Sequence, residues 1–256
     1  MLCFFTLAGC GEQAEISFVQ GITLDGNNIY SEVDNNVDTF TFNGKVNIKS
    51  GFSFVIYKDK EGLFEIPTNT LDLDIGDNIY YLLLKDNNDN KTLYTINVRR
   101  LPMYTISLYT YSGVVNSNGS YSIVLYKTIS VQENSKLNLS NENPTRTGYD
   151  FVSWEYNLNE VVTGNKSIYS EWEAHRHIVY VGSKQYESVY GEYLTLPRPE
   201  NADDPSSPII FRGYQNEQEG YYFNSSGQYI GNAAGTHPVR FYVDKDITVS
   251  EFWGQR

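Results

Sequence analysis

From Phe18 onward the chain is written in the two-residue rhythm of half-buried strands. Thr39-Phe-Thr-Phe42 and Leu71-Asp-Leu-Asp-Ile75 alternate cleanly, and Phe52-Ser-Phe-Val-Ile-Tyr57 less strictly. Thr92-Leu-Tyr-Thr-Ile-Asn-Val98 puts Leu93, Thr95 and Asn97 on one face and Tyr94, Ile96 and Val98 on the other, because successive side chains leave a strand from opposite faces. Ile79-Tyr-Tyr-Leu-Leu-Leu84 breaks the rhythm: a continuous apolar run between Asp/Asn clusters predicts a central strand covered on both faces. Asp25-Gly26, Asn43-Gly44, Ser50-Gly51, Glu61-Gly62 and Gly76-Asp-Asn78 supply turns, and Asp86-Asn-Asn-Asp-Asn90 reads as a hairpin. Strands at this spacing predict a β-sandwich over residues 18–100.

Arg99-Arg-Leu-Pro-Met103 is a short, stiff linker that predicts limited swing between the segments on its two sides. The rhythm resumes in Tyr104-Thr-Ile-Ser-Leu-Tyr-Thr-Tyr111, then in residues 121–126 and 128–131, with Asn116-Ser-Asn-Gly119 as a turn and room for a helical turn at 133–136. Leu137-Asn-Leu139 leads into Asn143-Pro-Thr-Arg-Thr-Gly-Tyr-Asp-Phe-Val-Ser-Trp154. There Pro144 stops a strand, Gly148 permits a bend, and Tyr149, Phe151 and Trp154 supply aromatic faces. Ser167-Ile-Tyr-Ser-Glu-Trp172 closes the segment and is expected to bring Trp172 onto the same small core.

A looser copy lies nearer the C-terminus. Pro208-Ile-Ile-Phe-Arg-Gly-Tyr214 repeats the order with Phe211, Gly213 and Tyr214, and Ile247-Thr-Val-Ser-Glu-Phe-Trp253 repeats the closing strand. Two copies, over 104–173 and 177–256, indicate an array. Glu173-Ala-His-Arg-His177 links them. The second contains Ile178-Val-Tyr-Val181, Tyr190-Gly-Glu-Tyr-Leu-Thr-Leu-Pro197, an acidic loop at 200–207, an aromatic hairpin at 221–229 with a Ser-Gly turn, and a small polar loop at 232–238.

These residues resemble the internalin-type B repeat, also called the Listeria/Bacteroides repeat, with its Pro-x-x-x-Gly-Tyr-x-Phe-x-Gly-Trp core and closing Leu-Tyr-Ala-x-Trp strand. The first copy has Ser153 for the usual Gly and Ser170 for the usual Ala. The second has Gly213-Tyr214 for Gly-Trp and Ser250-Glu-Phe252 for Ala-x-Trp, with Trp253 one place late. The resemblance implies a compact β-grasp-like fold for each copy. In the first module, Leu73-x-x-Gly76-Asp77-Asn78, Tyr80-Tyr81 and Tyr94-Thr-Ile-Asn-Val-Arg-Arg100 resemble the bacterial cadherin-like β-sandwich family, which implies an Ig-like spacer without catalytic residues. The expected fold class is therefore mainly β: an Ig-like, cadherin-like sandwich followed by two small β-grasp-like domains.

The chain has 256 residues, enough for two or three such modules, and its hydrophobic supply is skewed toward 22 Tyr and 13 Phe, as half-buried pleated surfaces require. A net charge of -12 with no basic stripe argues against nucleic acid. Both cysteines, Cys3 and Cys10, lie in the first ten residues, so no disulfide staples the body. Leu7-Ala-Gly-Cys10, ending an apolar run, resembles a bacterial lipoprotein lipobox. That implies lipidation of Cys10, residues 1–17 as signal and tether, and anchoring on the outer face of the cell membrane; two or three acyl chains hold such an anchor firmly. No Lys or Arg precedes the apolar run, so the signal is expected to start upstream of Met1.

No nucleophile elbow, phosphate loop, zinc signature or kinase set appears, and the expectation is a non-enzymatic protein without cofactor. His175 and His177 form a His-x-His pair, but the chain has one other histidine, His237, and no cysteine in its body, so no metal site is expected. Asp72, Asp74, Asp77, Asp86 and Asp89 raise a calcium question, answered by a solvated strand face and ordinary hairpin chemistry. What remains is an adhesion or interaction scaffold or stalk with an unknown protein or glycan partner. The alternative is a carbohydrate-binding lipoprotein that uses exposed tyrosines.

Overall fold

The computed structural model describes residues 15–115, 121–231 and 239–256. Among them there is no helix, and the protein is mainly β. Cys3, Cys10, His237, the turn expected at 116–119 and the loop expected at 232–238 lie outside the described residues.

The chain divides into two compact units. One is the chain up to Tyr104 together with Ser130–Lys136 and Val161–Gly164; the other holds Thr105–Ile129, Leu137–Glu160 and Asn165–Arg256. The first unit contains β1 (Ile16–Phe18), β2 (Ile22–Asp25), β3 (Asn28–Val33), β4 (Thr39–Thr41), β5 (Val46–Ile48), β6 (Phe52–Tyr57), β7 (Thr70–Asp72), β8 (Gly76–Asp86) and β9 (Lys91–Arg100). Five of them form a sheet in the order β2-β3-β9-β8-β6, in which β3 and β9 run parallel. The pairs β1-β5 and β4-β7 form two small sheets. Phe40, Phe42 and Leu71 from β4, β7 and their flanks meet Ile56, Leu82, Leu84, Ile96 and Val98 from the five-stranded sheet in one core.

The faces of β9 are as the alternation predicts, with Tyr94, Ile96 and Val98 buried. β8 is not covered on both faces. Tyr80, Leu82 and Leu84 are buried, while Ile79 is 53% exposed and Tyr81 and Leu83 are half-buried. A run of apolar residues hides its own period, and here, among the described residues, one face of β8 packs into the core while the other is half-buried or exposed. Ile75 likewise leaves the face it was expected to share with Leu71 and Leu73, because the chain turns before Gly76 opens β8. The hairpin at 86–90 is closed by Asp86, whose Oδ1 accepts from the backbone N–H of Asn88 and of Asn90, both at 2.8 Å. The stretch expected as a linker is tied into this unit: Leu101 is buried, its N–H bonds the Val33 carbonyl, and Arg100 donates to the carbonyls of Asn35 and Leu73.

The remaining strands are β10 (Met103–Val115), β11 (Tyr121–Gln132), β12 (Tyr149–Trp154), β13 (Lys166–Ala174), β14 (Arg176–Val181), β15 (Lys184–Val189), β16 (Ile209–Asn216), β17 (Tyr221–Phe223), β18 (Tyr229–Gly231) and β19 (Ile247–Gln255). Two expected short strands, 121–126 and 128–131, are one, since Lys127 faces solvent without interrupting the ladder. β13 and β14 run through the expected linker and leave only His175 between them.

The second unit contains two sheets with a common plan. The first is ordered β11-β10-β13-β12, and the second is β15-β14-β19-β16 extended by β17 and β18. In each, the central pair is parallel, β10 with β13 and β14 with β19, and the last strand of the chain segment pairs antiparallel with the one before the return. Each antiparallel pair is interrupted by a bulge at the same place, between Phe151 and Ser153 in one and between Phe211 and Gly213 in the other. Opposite the bulge, Phe151 pairs with Trp172 and Phe211 with Trp253.

Candidate functional site

The ring chemistry of the second unit starts at these bulges. In the first sheet Phe151 meets Trp154 at 5.5 Å and Trp172 at 5.6 Å between centroids, both edge-on. In the second, Phe211 meets Tyr214 at 5.0 Å and Trp253 at 5.4 Å, with nearly the same angles. Each closing Trp donates its indole N–H two residues back, to Ser170 Oγ at 2.6 Å and to Glu251 at 3.1 Å. Trp253 pairs across its ladder as Trp172 does, each opposite the phenylalanine that precedes the bulge. The serine at Ser153, where the second sheet has Gly213, also has a physical reason. β12 is an edge strand, whereas β16 is flanked by β17, and a Cβ on Gly213 would overlap the Phe223 carbonyl. A serine fits at the edge and nothing larger than glycine fits between two strands.

A junction joins the two sheets. Gly148 has φ +74°, and the ring of Tyr190 lies so close that a Cβ on Gly148 would overlap it. In return the Tyr149 hydroxyl stands 2.5 Å from where a Cβ of Gly191 would be, and the Tyr149 and Tyr190 rings meet edge to face at 5.6 Å and 82°. Tyr190 also packs edge-on against Tyr242 at 5.5 Å. The backbone takes the same path: the His175 N–H bonds the Gly148 carbonyl at 2.9 Å, and the Tyr190 N–H bonds the His175 carbonyl at 3.0 Å.

Beside the junction, the Arg146 guanidinium lies 3.5 Å from the Tyr149 ring centroid, 4.2 Å from Tyr121, 4.5 Å from Tyr111 and 5.9 Å from Trp172. Ring faces rather than a carboxylate receive this charge, and its Nε is buried without a hydrogen-bond partner. Removing the cation takes away both the ring contacts and the packing of the aliphatic stem. Arg146→Ala is expected to destabilise the unit by about 1–2 kcal/mol in urea denaturation, with Arg146→Lys between the two.

Across the junction His175 Nδ1 is 2.6 Å from Asp244 Oδ1 and its Nε2 is 3.2 Å from Asp150 Oδ1. His177 Nε2 reaches the same Asp244 oxygen at 3.0 Å, and its Nδ1 lies 3.7 Å from Asp246 Oδ1. The hydrogen bond to Asp244 raises the His175 pKa, and His175, then His177, holds Asp244 below the usual carboxylate value. His175, His177 and Asp244 offer one ligand atom each within 4.8 Å of one another. The spacing of the histidines was legible in the sequence, but Asp244 stands 67 and 69 residues away and only the fold brings it there.

Burial pushes Tyr190, Tyr214 and Tyr229 up to about 12 from the ordinary 10. Their folded-state pKa is raised, so the stability they contribute is fully present below pH 10 and is lost as pH climbs from 10 through 12. Ultraviolet titration of tyrosinate is expected to show a late-ionising class whose onset coincides with unfolding; ionisation of every ring near 10 in the folded state would contradict this.

Two recesses lie in the second sheet's half. One of about 380 Å³ is lined by Tyr221, Tyr229, Tyr242, Val243, Asp244 and Lys245. The other, about 1170 Å³, has Asp203 as the one carboxylate among its lining residues, and Arg198 holds it through two hydrogen bonds of 2.6 and 2.7 Å. The aspartates weighed for calcium do not gather: Asp86 serves its own hairpin, and Asp77 pairs with Arg99 at 3.0 Å. No protein-family model matches the chain, and no curated protein matches it.

Proposed function

We propose that the chain is a non-enzymatic cell-surface lipoprotein, tethered through a lipidated Cys10, whose β modules act as an adhesion or interaction scaffold. On this reading the first unit is a cadherin-like, Ig-like spacer and the two sheets of the second unit are divergent, β-grasp-like internalin-type B repeats. The observation that carries it is the same ring triad on the same bulge in two sheets of one plan, Phe151/Trp154/Trp172 and Phe211/Tyr214/Trp253. The Gly148–Tyr190 junction supports it further, since a spacer works by holding its modules in fixed relation. An array of this kind presents a face to a protein or glycan partner and needs no reacting group.

Expressed in a bacterium behind a functional lipoprotein signal, the protein is expected to take up radiolabelled palmitate and to be cleaved by protease added to intact cells. Cys10→Ser is expected to abolish the label and release the chain from the membrane. A wild-type chain that stays unlabelled and protease-protected overturns the anchoring and surface parts of the reading.

One observation favours carbohydrate binding as a second reading. Tyr109 and Tyr169 are in register on neighbouring parallel strands and stack at 5.4 Å and 23°, with Tyr169 41% exposed. Such a two-ring platform suits a sugar face. Among the described residues the other exposed rings, Tyr30, Phe64, Tyr126, Tyr193 and Phe252, are scattered over separate strands and loops. Loss of glycan-array binding in Tyr109→Ala/Tyr169→Ala would favour this reading; binding to matrix proteins alone would favour the first.

A further inference from the structure

We infer that His175, His177 and Asp244 form a divalent-metal site, best suited to zinc, that clasps the junction between the two sheets of the second unit. The inference stands apart from the scaffold reading and from any partner. Two imidazole nitrogens and one carboxylate oxygen converge from three chain positions, with Nδ1 of His175 and Nε2 of His177 both aimed at Asp244 Oδ1. A neutral imidazole carries one proton, and each ring here has a second carboxylate behind its far nitrogen. Asp150 stands at 3.2 Å from His175 Nε2, and Asp246, itself fixed by the Ile178 N–H at 2.9 Å, stands at 3.7 Å from His177 Nδ1.

Once an ion takes the near lone pairs, Asp150 stands where it accepts the proton on the far nitrogen of His175, as the outer partners of metal-bound histidines do, and Asp246 lies beyond the far nitrogen of His177. Without an ion each near nitrogen donates its proton to Asp244; with one, the two lone pairs and the carboxylate oxygen face it together.

Two of the three ligand-atom separations, 2.6 and 3.0 Å, lie near the spacing of a zinc site, and all three atoms are within 4.8 Å of one another. Ligand atoms about 2.0–2.1 Å from a tetrahedral ion sit about 3.3 Å apart. Asp244 therefore withdraws by about 0.3 Å from His177 and about 0.7 Å from His175 to admit the ion. Two imidazoles with one carboxylate is a set that zinc accepts, leaving a fourth position for water. Asp244 also lines the 380 Å³ recess, which gives the ion a path from solvent.

The test is calorimetric titration of the full chain, carrying Cys10→Ser and no histidine tag, with zinc sulfate near neutral pH, paralleled by cobalt(II) absorption. The expected result is one ion per chain, with visible d–d bands of a four-coordinate cobalt centre and a melting temperature several degrees higher with zinc than with chelator. His177→Gln and Asp244→Asn are each expected to lose at least tenfold in affinity, and Asp150→Asn, acting through His175, about tenfold. Absence of stoichiometric zinc binding by the unsubstituted site, or full binding in both His177→Gln and Asp244→Asn, overturns the inference. The wild-type titration decides the first point even if a substituted chain folds poorly. Tryptophan fluorescence matching wild type establishes that a loss in the substituted chains is local.

Discussion

Gly148→Ala is expected to cost about 3 kcal/mol and to loosen the second unit's two sheets from one another. A residue with a Cβ at this left-handed φ costs about 1–2 kcal/mol, and inserting a methyl into a filled space adds about 1–3 kcal/mol. Both apply, because the methyl would overlap the Tyr190 ring, which Tyr149 and Tyr242 pack against edge-on. The backbone bond from His175 to the Gly148 carbonyl hangs on the same residue. The two contributions separate in a double-mutant cycle: in a Tyr190→Ala background the steric part disappears while the backbone part stays. Gly148→Ala should then cost about 1–2 kcal/mol. Equal cost in both backgrounds would mean that the Gly148–Tyr190 contact has no energetic weight.

The second large effect is expected at Phe211. It is 3% exposed and touches Tyr214 and Trp253 edge-on, so Phe211→Ala removes a large buried ring and two aromatic pairs at once. Truncations of this kind cost about 3–5 kcal/mol. Phe151, its counterpart, is only half-buried because β12 is an edge strand, and Phe151→Ala should cost clearly less. Phe252, exposed on β19, is the control: Phe252→Ala should lie within about 0.5 kcal/mol of wild type. Urea denaturation monitored by tryptophan fluorescence reads all three, and a Phe211→Ala value near that of Phe252→Ala would remove the ring triad as the organiser of its sheet.

Much of the fold is legible where local chemistry decides it. Alternation names the buried face of β9, and the Asp86 hairpin closes as its sequence requires. The order of rings after Gly148 likewise anticipates Phe151, Trp154 and Trp172 meeting. Sequence reading goes astray where the deciding partner is distant. Nothing within Ile79–Leu84 says that one face of β8 lacks a covering layer. Trp253 looks displaced along the sequence, yet the register sets it opposite Phe211 as Trp172 stands opposite Phe151. Nothing local to Arg146 announces that three tyrosines and a tryptophan from separate elements surround its charge. His175 and His177 resemble a linker pair because Asp244 comes to them only when β14 and β19 align in parallel.

The junction at Gly148, Tyr190 and His175 joins the two sheets of the second unit as one body. Backbone ¹⁵N relaxation of the full chain tests it most directly. One rotational correlation time is expected for the amides of β10, β12 and β13 and those of β14, β16 and β19, splitting into two in Gly148→Ala. Separate correlation times for the two groups in the wild-type protein would contradict it.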